Sequence, residues 1–279
     1  MIQGTSSGAG KSTLVTAFCR IFSDRGYRVV PFKAQNMSSN VYIIKNTLDK
    51  ISLAQAIQAT ASRKNPDVRM NPILLKPLGE YRSEVILDGK FYSEMHAKEY
   101  YEKFILQQGL PSILNALSSL RKENDIVVIE GAGSPAEINI AKYDAANMLL
   151  AEKVCAPVIV CSDIERGGCF ASIVGTMKLL KPVHRDLVKG FLINKFRGDK
   201  SLLYPAIQSV EKITKRKVLG IVPNVDFHLP NEDSLDDKGS SRYEQPRESW
   251  DWHINLLAKA IIESIDIQKI MTMVIGLER

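Results

Sequence analysis

The sequence predicts an α/β protein: a doubly wound, mostly parallel sheet with helices on both faces. Three observations lead there. Short apolar, β-branched runs alternate with longer stretches of helical period. The runs lack polar alternation, as strands buried on both faces do. A glycine-rich segment separates the first run from the first helical stretch, where folds of this class place a ligand-binding turn.

The elements follow in order. Met1-Ile2-Gln3 is a short first strand, and Lys11–Arg25 is a helix leading to a second strand, Val29–Lys33. Ser52–Ser62 reads as a helix, and Arg82–Phe91 as a small hairpin with Asp88-Gly89 at its turn. A long helical pattern covers Tyr100–Lys122 before the apolar run Ile126–Glu130. Helices at Ala145–Glu152, Phe170–Leu180 and Leu202–Thr214 then alternate with strands at Pro157–Ser162, Val188–Asn194 and Val218–Val222. Asn231–Ser249 is polar and poor in apolar residues, and reads as a loop or linker. Trp250–Ile265 is helical in pattern, and Gln268–Arg279 takes no clear assignment.

Composition removes several classes of function. At 279 residues, 45% hydrophobic and 24% charged, the chain can bury a sizeable core, which excludes global disorder. Its net charge of +6 is scattered, as in Lys212–Lys217, rather than clustered and interleaved with aromatics. No nucleic-acid partner is therefore expected, while an acidic small substrate is compatible. No apolar run approaches the roughly 18 residues that a membrane span needs, so no membrane partner is expected. The N-terminus runs at once into the glycine loop, so no signal peptide is expected. Cys19, Cys155, Cys161 and Cys169 form no CxxC pair, which argues against a disulfide scaffold or a zinc site. Cys155 and Cys161 flank an apolar strand and read as core thiols. A reducing compartment, the cytoplasm, is expected.

The strongest motif is Gly4-Thr5-Ser6-Ser7-Gly8-Ala9-Gly10-Lys11-Ser12-Thr13. Glycines let a backbone fold back so that several N–H groups face one anion, and the following helix aims its N-terminus at the same place. In such a phosphate loop Lys11 reaches the β- and γ-phosphates and Ser12 offers its hydroxyl to Mg²⁺. Thr13 can bond an α-phosphate. Farther on, Ile126–Glu130 ends in an acid followed by Gly131-Ala132-Gly133, where a second Mg²⁺ contact is expected beside such a loop. The alternative is a solvated Glu130. Lys33 ends the second strand, where it can neutralise a γ-phosphate or a substrate carboxylate, or be an ordinary surface lysine. Asn194 ends another strand. Its amide can pair with a donor and an acceptor on a base edge, or simply form a turn.

The loop resembles the GTxxxxGK[ST] loop of the dethiobiotin synthetase-like P-loop NTPases. It lacks the second lysine that marks the partitioning and septum-site ATPases. The chain as a whole resembles the cobyric acid synthase family, specifically its N-terminal ATPase half. The resemblance runs through most of Ile2–Ser234. It rests on QGTSSGAGKSTLVTAFCRIF from Gln3, PFKAQNMSSN from Pro31, MNPILLKP from Met70, IEGAGSPAEIN from Ile129 and SDIERGGCFAS from Ser162. GFLINKFRGD from Gly190, LGIVP from Leu219 and LPNEDS from Leu229 complete it.

The resemblance implies a P-loop ATPase/synthetase domain over residues 1–230, a linker at 231–249 and a C-terminal helix and tail at 250–279. It implies ATP and Mg²⁺ as cofactors, and amidation of peripheral carboxylates of adenosylcobyrinic acid a,c-diamide in cobalamin biosynthesis. Lys11 and Lys33 would act on the transferring phosphate. Gly4, Thr5, Gly8, Gly10, Lys11, Ser12, Thr13 and Asn194 would hold the nucleotide, with Asn194 on adenine. Ser12 and Glu130 would join the metal shell. Gln35 and Asn36 of the QNMS stretch, with Asp163 and Arg166 of the DIxRGG stretch, are candidates for substrate or nucleotide contacts. The last two can equally form a local ion pair.

Two departures from the family pattern stand out. Lys50 occupies a place where an acid is expected, so either the adjacent Asp49 replaces it in the metal shell or the metal site is weakened. The family's C-terminal glutaminase domain is not expected in this chain. Nitrogen would then come from free ammonia or a separate glutaminase, and a homodimer is compatible. Other readings are a dethiobiotin synthetase-like enzyme acting on another carboxylate, a nucleotide-dependent switch, or an inactive relative.

Overall fold

A strand that must run straight into a glycine loop has little room, and β1 spans only Ile2–Gly4 before α1 begins at Lys11 and continues to Asp24. The structure, a computed structural model, describes residues 1–225, 247–272 and 276. After α1 come β2 (Val29–Lys33), β3 (Gln35–Met37), β4 (Val41–Ile43) and β5 (Lys50–Ser52), then α2 (Leu53–Ala61). Strands β6 (Ile73–Gly79), β7 (Arg82–Leu87) and β8 (Lys90–His96) precede a one-turn α3 (Ala97–Glu99), a π-helical stretch (Tyr100–Gly109) and α4 (Leu110–Glu123). The remainder alternates: β9 (Ile126–Glu130), α5 (Met148–Lys153), β10 (Val158–Asp163), α6 (Cys169–Leu179), α7 (Pro182–Leu187), β11 (Val188–Phe196), α8 (Tyr204–Thr214) and β12 (Lys217–Pro223). Helices α9 (Arg247–Ile262) and α10 (Ile267–Ile270) follow.

The chain divides into two compact units. The first comprises Met1–Leu14, Gly131–Asp226 and Leu257–Arg279. Its strands lie in the order β12-β11-β10-β1 and are parallel throughout. Ile2 pairs with Ile159 and Gly4 with Cys161, which sets the start of the glycine loop against the end of β10. Ile159, Val160, Cys161, Phe191, Leu192 and Ile193 are almost wholly buried, which accounts for the unbroken apolar runs in β10 and β11. Helices α6, α7 and α8 pack on β10, β11 and β12 respectively.

The second unit comprises Val15–Glu130 and Phe227–Leu256. It contains the parallel pair β2–β9, in which Lys33 lies opposite Glu130. It also holds the hairpin β4–β5 and a four-stranded sheet in the order β3-β6-β7-β8. The expected hairpin at Arg82–Phe91 is therefore part of a larger sheet. Its turn is the predicted one, with Asp88 at φ +48° and Gly89 at φ +84°, the doubly left-handed geometry of a two-residue loop. A side chain at Gly89 would come within 2.6 Å of both Asp49 Cβ and Val68 Cγ1. Helix α2 packs on β2 and α4 on β9, with Phe18 and Phe22 of α1 stacked at 5.7 Å in the core. Arg20, buried in the same core, pairs with Asp251 of α9.

The long helical pattern predicted from Tyr100 is present, but it changes its hydrogen-bond ladder midway. Pro111, in the first turn of α4, has no N–H to donate, and the π-helical stretch ends just before it. Of the predicted linker, residues 231–246 lie outside the described residues, and 247–249 begin α9. One reading is corrected. Cys161 is buried, but Cys155 is exposed, because it sits at φ +52° in the turn between α5 and β10.

Phe191 is fully buried in the sheet of the first unit. Phe191→Ala is expected to lower stability by about 3–5 kcal/mol in urea titration, through the cavity it leaves.

Candidate nucleotide site

In the first unit, the glycine loop is tied down at each end. The Thr5 N–H donates to the Cys161 carbonyl at 2.9 Å, and the Thr5 and Ser162 hydroxyls share a hydrogen bond of 2.9 Å. Gly8 and Gly10 both take left-handed φ, +70° and +94°. A Cβ on Gly10 would lie 1.9 Å from Asn194 Nδ2, so only glycine fits there. Lys11 opens α1 and is 7% exposed. Its Nζ donates to the Ser6 and Gly133 carbonyls, each at 3.1 Å. Ser12 and Thr13 are half-buried in the first helical turn, where the backbone N–H groups and the helix dipole favour an anion.

The far side of the loop rests on β11. Asn194, buried, donates from Nδ2 to the Ala9 carbonyl at 2.9 Å. Lys195, at φ +60°, sends Nζ to the Gly8 carbonyl at 2.8 Å and to Asp163 Oδ2 at 2.9 Å. Asp163 is nearly buried and also accepts from the Glu165 N–H at 2.8 Å. Arg166 reaches Asp163 only at 3.9 Å, with its side chain 78% exposed. The nearer cationic partner of Asp163 is Lys195, and Arg166 stands at the outer limit of an ion pair with it. Lys195 escaped the sequence reading, since a lysine after a strand-ending Asn carries no signal until the fold brings it to the loop.

Asp144 stands before α5 in the same unit. It accepts from the Asn147 and Met148 N–H groups at 3.0 and 3.2 Å and from Asn147 Nδ2 at 3.0 Å. Burial nevertheless pushes its carboxyl up to about 7 from the ordinary 3.8, outweighing those bonds.

The second unit holds a different constellation. Lys33 Nζ donates to Glu130 Oε1 at 2.7 Å, and the two side chains are 4% and 0% exposed. Both the surface-lysine and the solvated-glutamate alternatives are therefore overturned: adjacent register on two buried strands forces the two charges together. Gln58 donates to the other Glu130 oxygen. From there the bonds run Gln55 to Gln58 at 3.3 Å, Asn36 to Gln55 at 3.1 Å and Asn36 to Ser52 at 2.6 Å. Asn71 accepts from the Ser52 N–H at 3.1 Å and donates to the Lys33 carbonyl at 3.1 Å, which closes a ring. Asn36 is thus committed to this network, while Gln35 accepts from the Tyr100 hydroxyl at 2.7 Å.

Gln55, Gln58 and Asn71 were not singled out in the sequence. The available signal was two glutamines three apart in the otherwise small and apolar α2, whose side chains are almost all buried. Asp49 lies in the β4–β5 turn against Gly89, and Lys50 pairs with Glu84 at 3.5 Å. Among the described residues no group of three or more His, Cys, Asp or Glu side chains is gathered where it could hold a metal ion. Nor is any helix among them long and apolar enough to cross a membrane.

A glycine loop closed around the lysine that opens α1, in a mostly parallel α/β fold, defines a P-loop nucleotide-binding protein. The model of the CobQ/CobB/MinD/ParA nucleotide binding domain matches residues 1–234, and the chain belongs to that family. It is 52% identical over 238 residues to the cobyric acid synthase of Thermoanaerobacter sp. (strain X514), covering 85% of this chain and 46% of that one. It is 50% identical to the probable cobyric acid synthase of Thermococcus kodakarensis, covering 92% of this chain and 51% of that one. For the cobyric acid synthase of Streptococcus sanguinis the identity is 48%, covering 90% and 50%. The chain spans about half the length of the curated relatives it matches.

Two outcomes follow from the buried charges. Lys33→Met leaves Glu130 buried without its cation and is expected to cost about 3–5 kcal/mol in chemical denaturation, with much of the loss recovered by adding Glu130→Gln. Asp144 binds its proton more tightly in the folded than in the unfolded chain. Its contribution to stability is present below the unfolded value of 3.8 and is lost as pH rises towards about 7. Thermal unfolding between those limits should show wild type losing stability with rising pH relative to Asp144→Asn, which lacks that proton.

Proposed function

We propose that the chain is the ATP-dependent half of a cobyric acid synthase, amidating peripheral carboxylates of adenosylcobyrinic acid a,c-diamide through acyl phosphates. The observation that supports this most is the closed glycine loop around Lys11, in a chain about half identical over its aligned length to cobyric acid synthases. On this reading residues 1–230 work as the synthetase domain. The nitrogen is free ammonia or ammonia supplied by a glutaminase.

The chemistry asks for charge neutralisation more than for acid or base. A carboxylate is ionised at neutral pH and needs no base to attack phosphorus. Its oxygen takes the γ-phosphoryl group, and ADP leaves. The ammonia lone pair then adds to the acyl carbon, inorganic phosphate departs with the C–O bond, and the nitrogen releases a proton. The protein positions the reactants and offsets developing charge.

Lys11 would exchange its two carbonyl partners for phosphate oxygens, a stronger charge-assisted contact. The Gly4, Thr5, Gly8 and Gly10 backbone and the start of α1 at Ser12 and Thr13 would hold the polyphosphate. Asn194 would meet the base by giving up or sharing its bond to Ala9. Ser12 is an oxygen donor of the kind that suits a hard cation such as Mg²⁺, which retains several waters and takes few protein ligands, and the Glu130 carboxylate is a further candidate donor. Mg²⁺, when bound, would neutralise phosphate charge. Lys33, released from or sharing Glu130, would supply a cation for phosphate or carboxylate. Asp49, Gln35, Asp163 and Arg166 remain candidates for metal or substrate contacts, Asp163 and Arg166 near the glycine loop.

The test is turnover of Mg-ATP, adenosylcobyrinic acid a,c-diamide and ammonium salt at mildly alkaline pH, with amides counted by mass spectrometry and ADP measured in parallel. Amide formation coupled to ADP is expected, and Lys11→Ala should reduce it about 100-fold or more. Nucleotide turnover that ignores the corrinoid, or answers to another carboxylate, would overturn the reading.

A further inference from the structure

Asn147 stands at the N-cap position of α5, from which an asparagine ordinarily caps its own helix. Its side chain does not cap that helix. Asp144 takes the task, accepting from the Asn147 and Met148 N–H groups. The Asn147 amide, in a residue 3% exposed, is turned instead to the glycine segment that follows β9. Oδ1 accepts from the Ala132 N–H at 3.1 Å, and Nδ2 donates to the Ala132 carbonyl at 2.6 Å and to Asp144 Oδ1 at 3.0 Å. Both N–H donors and the oxygen of the amide are thereby engaged.

The approach is close. A Cβ on Gly131 would lie 2.3 Å from Asn147 Oδ1, so glycine there is what admits the amide. The Gly131 N–H is tied to the Ile2 carbonyl at 2.8 Å. Gly133, one residue past the clasped Ala132 and at φ +58°, presents its carbonyl to Lys11 Nζ at 3.1 Å. The side chain thus gives one loop residue both the partners that a neighbouring strand would give, and the next carbonyl holds the ammonium.

We propose that Asn147 is a positioning residue of the nucleotide site, acting through the Ala132–Gly133 backbone on Lys11. The inference rests on the glycine loop being a phosphate site. When phosphate draws Lys11 away, Gly133 loses its cation, and the segment then depends on the Asn147 clasp and the Gly131–Ile2 bond to stay in place. Without the clasp, the Ala132 N–H and carbonyl lose their partners, and the segment can follow or obstruct the lysine.

The experiment is binding of a fluorescent ATP analogue with Mg²⁺ to the full chain as wild type, Asn147→Ala, Lys11→Ala and the double variant. Asn147→Ala is expected to weaken binding about tenfold when Lys11 is present, and by less than about twofold when it is absent. An equal loss in both backgrounds, or no loss, would overturn the proposal, leaving Asn147 a role in folding alone. The matching ADP analogue gives a second reading if Lys11→Ala binds too weakly to measure. Lys11 reaches the β- and γ-phosphates, so the loss on Asn147→Ala should be larger for ATP than for ADP, and equal losses would sink the idea. Should Asn147→Ala fail to fold, Asn147→Asp keeps an acceptor for the Ala132 N–H but loses the donor, and the same comparisons apply. Failure of the wild-type chain to bind either nucleotide would remove the phosphate-site reading itself, and that outcome is visible before any substitution is made.

Discussion

The ammonium of Lys11 must have partners wherever it is buried, and in this fold it finds two backbone carbonyls, from Ser6 and Gly133. Much of the surrounding first unit can be understood as holding those two carbonyls in place. Thr5 is tied to the end of β10, Lys195 grips Gly8, and Asn194 grips Ala9. On the other side Asn147 clasps Ala132. A neutral carbonyl is a weaker partner for an ammonium than a phosphate oxygen, so the lysine is held in a geometry that an anion can take over. The scaffold is built around a charge whose best partner is a ligand.

The second unit solves a related problem without a loop. Parallel register sets Lys33 opposite Glu130, and burial leaves neither charge access to water. Each charge offsets the other, Gln58 donates to the second Glu130 oxygen, and the bonds continue through Gln55, Asn36, Ser52 and Asn71 back to the Lys33 carbonyl. Amides suit such a ring because each donates and accepts without adding charge. A buried pair of this kind contributes little net stability, since desolvation opposes the attraction, but removing either partner is costly. That asymmetry keeps both residues while leaving their attraction for each other open to competition.

Much of the fold was legible because the strands of a buried parallel sheet announce themselves. Val158–Cys161 and Phe191–Ile193 are unbroken apolar runs, and their helices have room to show a period. The sheet around β6 was harder to see. Pro77 and Gly79 interrupt its sequence, and β3 is three polar-to-apolar residues long, so pairing partners rather than composition define them. Cys155 misled for a similar reason. Apolar neighbours suggested a core thiol, but a left-handed turn carries it outward.

The residues of the glycine loop were readable alone, because glycine, lysine and hydroxyl at that spacing follow from the local demands of backbone and phosphate. Lys33 and Glu130 were readable as strand ends, but not as a buried pair, since only register sets one opposite the other. Gln58, Asn71, Asn147 and Lys195 are ordinary polar residues in sequence, 15 positions from Ala132 in the case of Asn147 and 187 from Gly8 in the case of Lys195. Sequence by itself determined the elements and the phosphate loop, where the causes lie within one turn of chain. Tertiary structure alone decided which buried polar groups meet, because each must be satisfied by whatever the fold brings within hydrogen-bond reach.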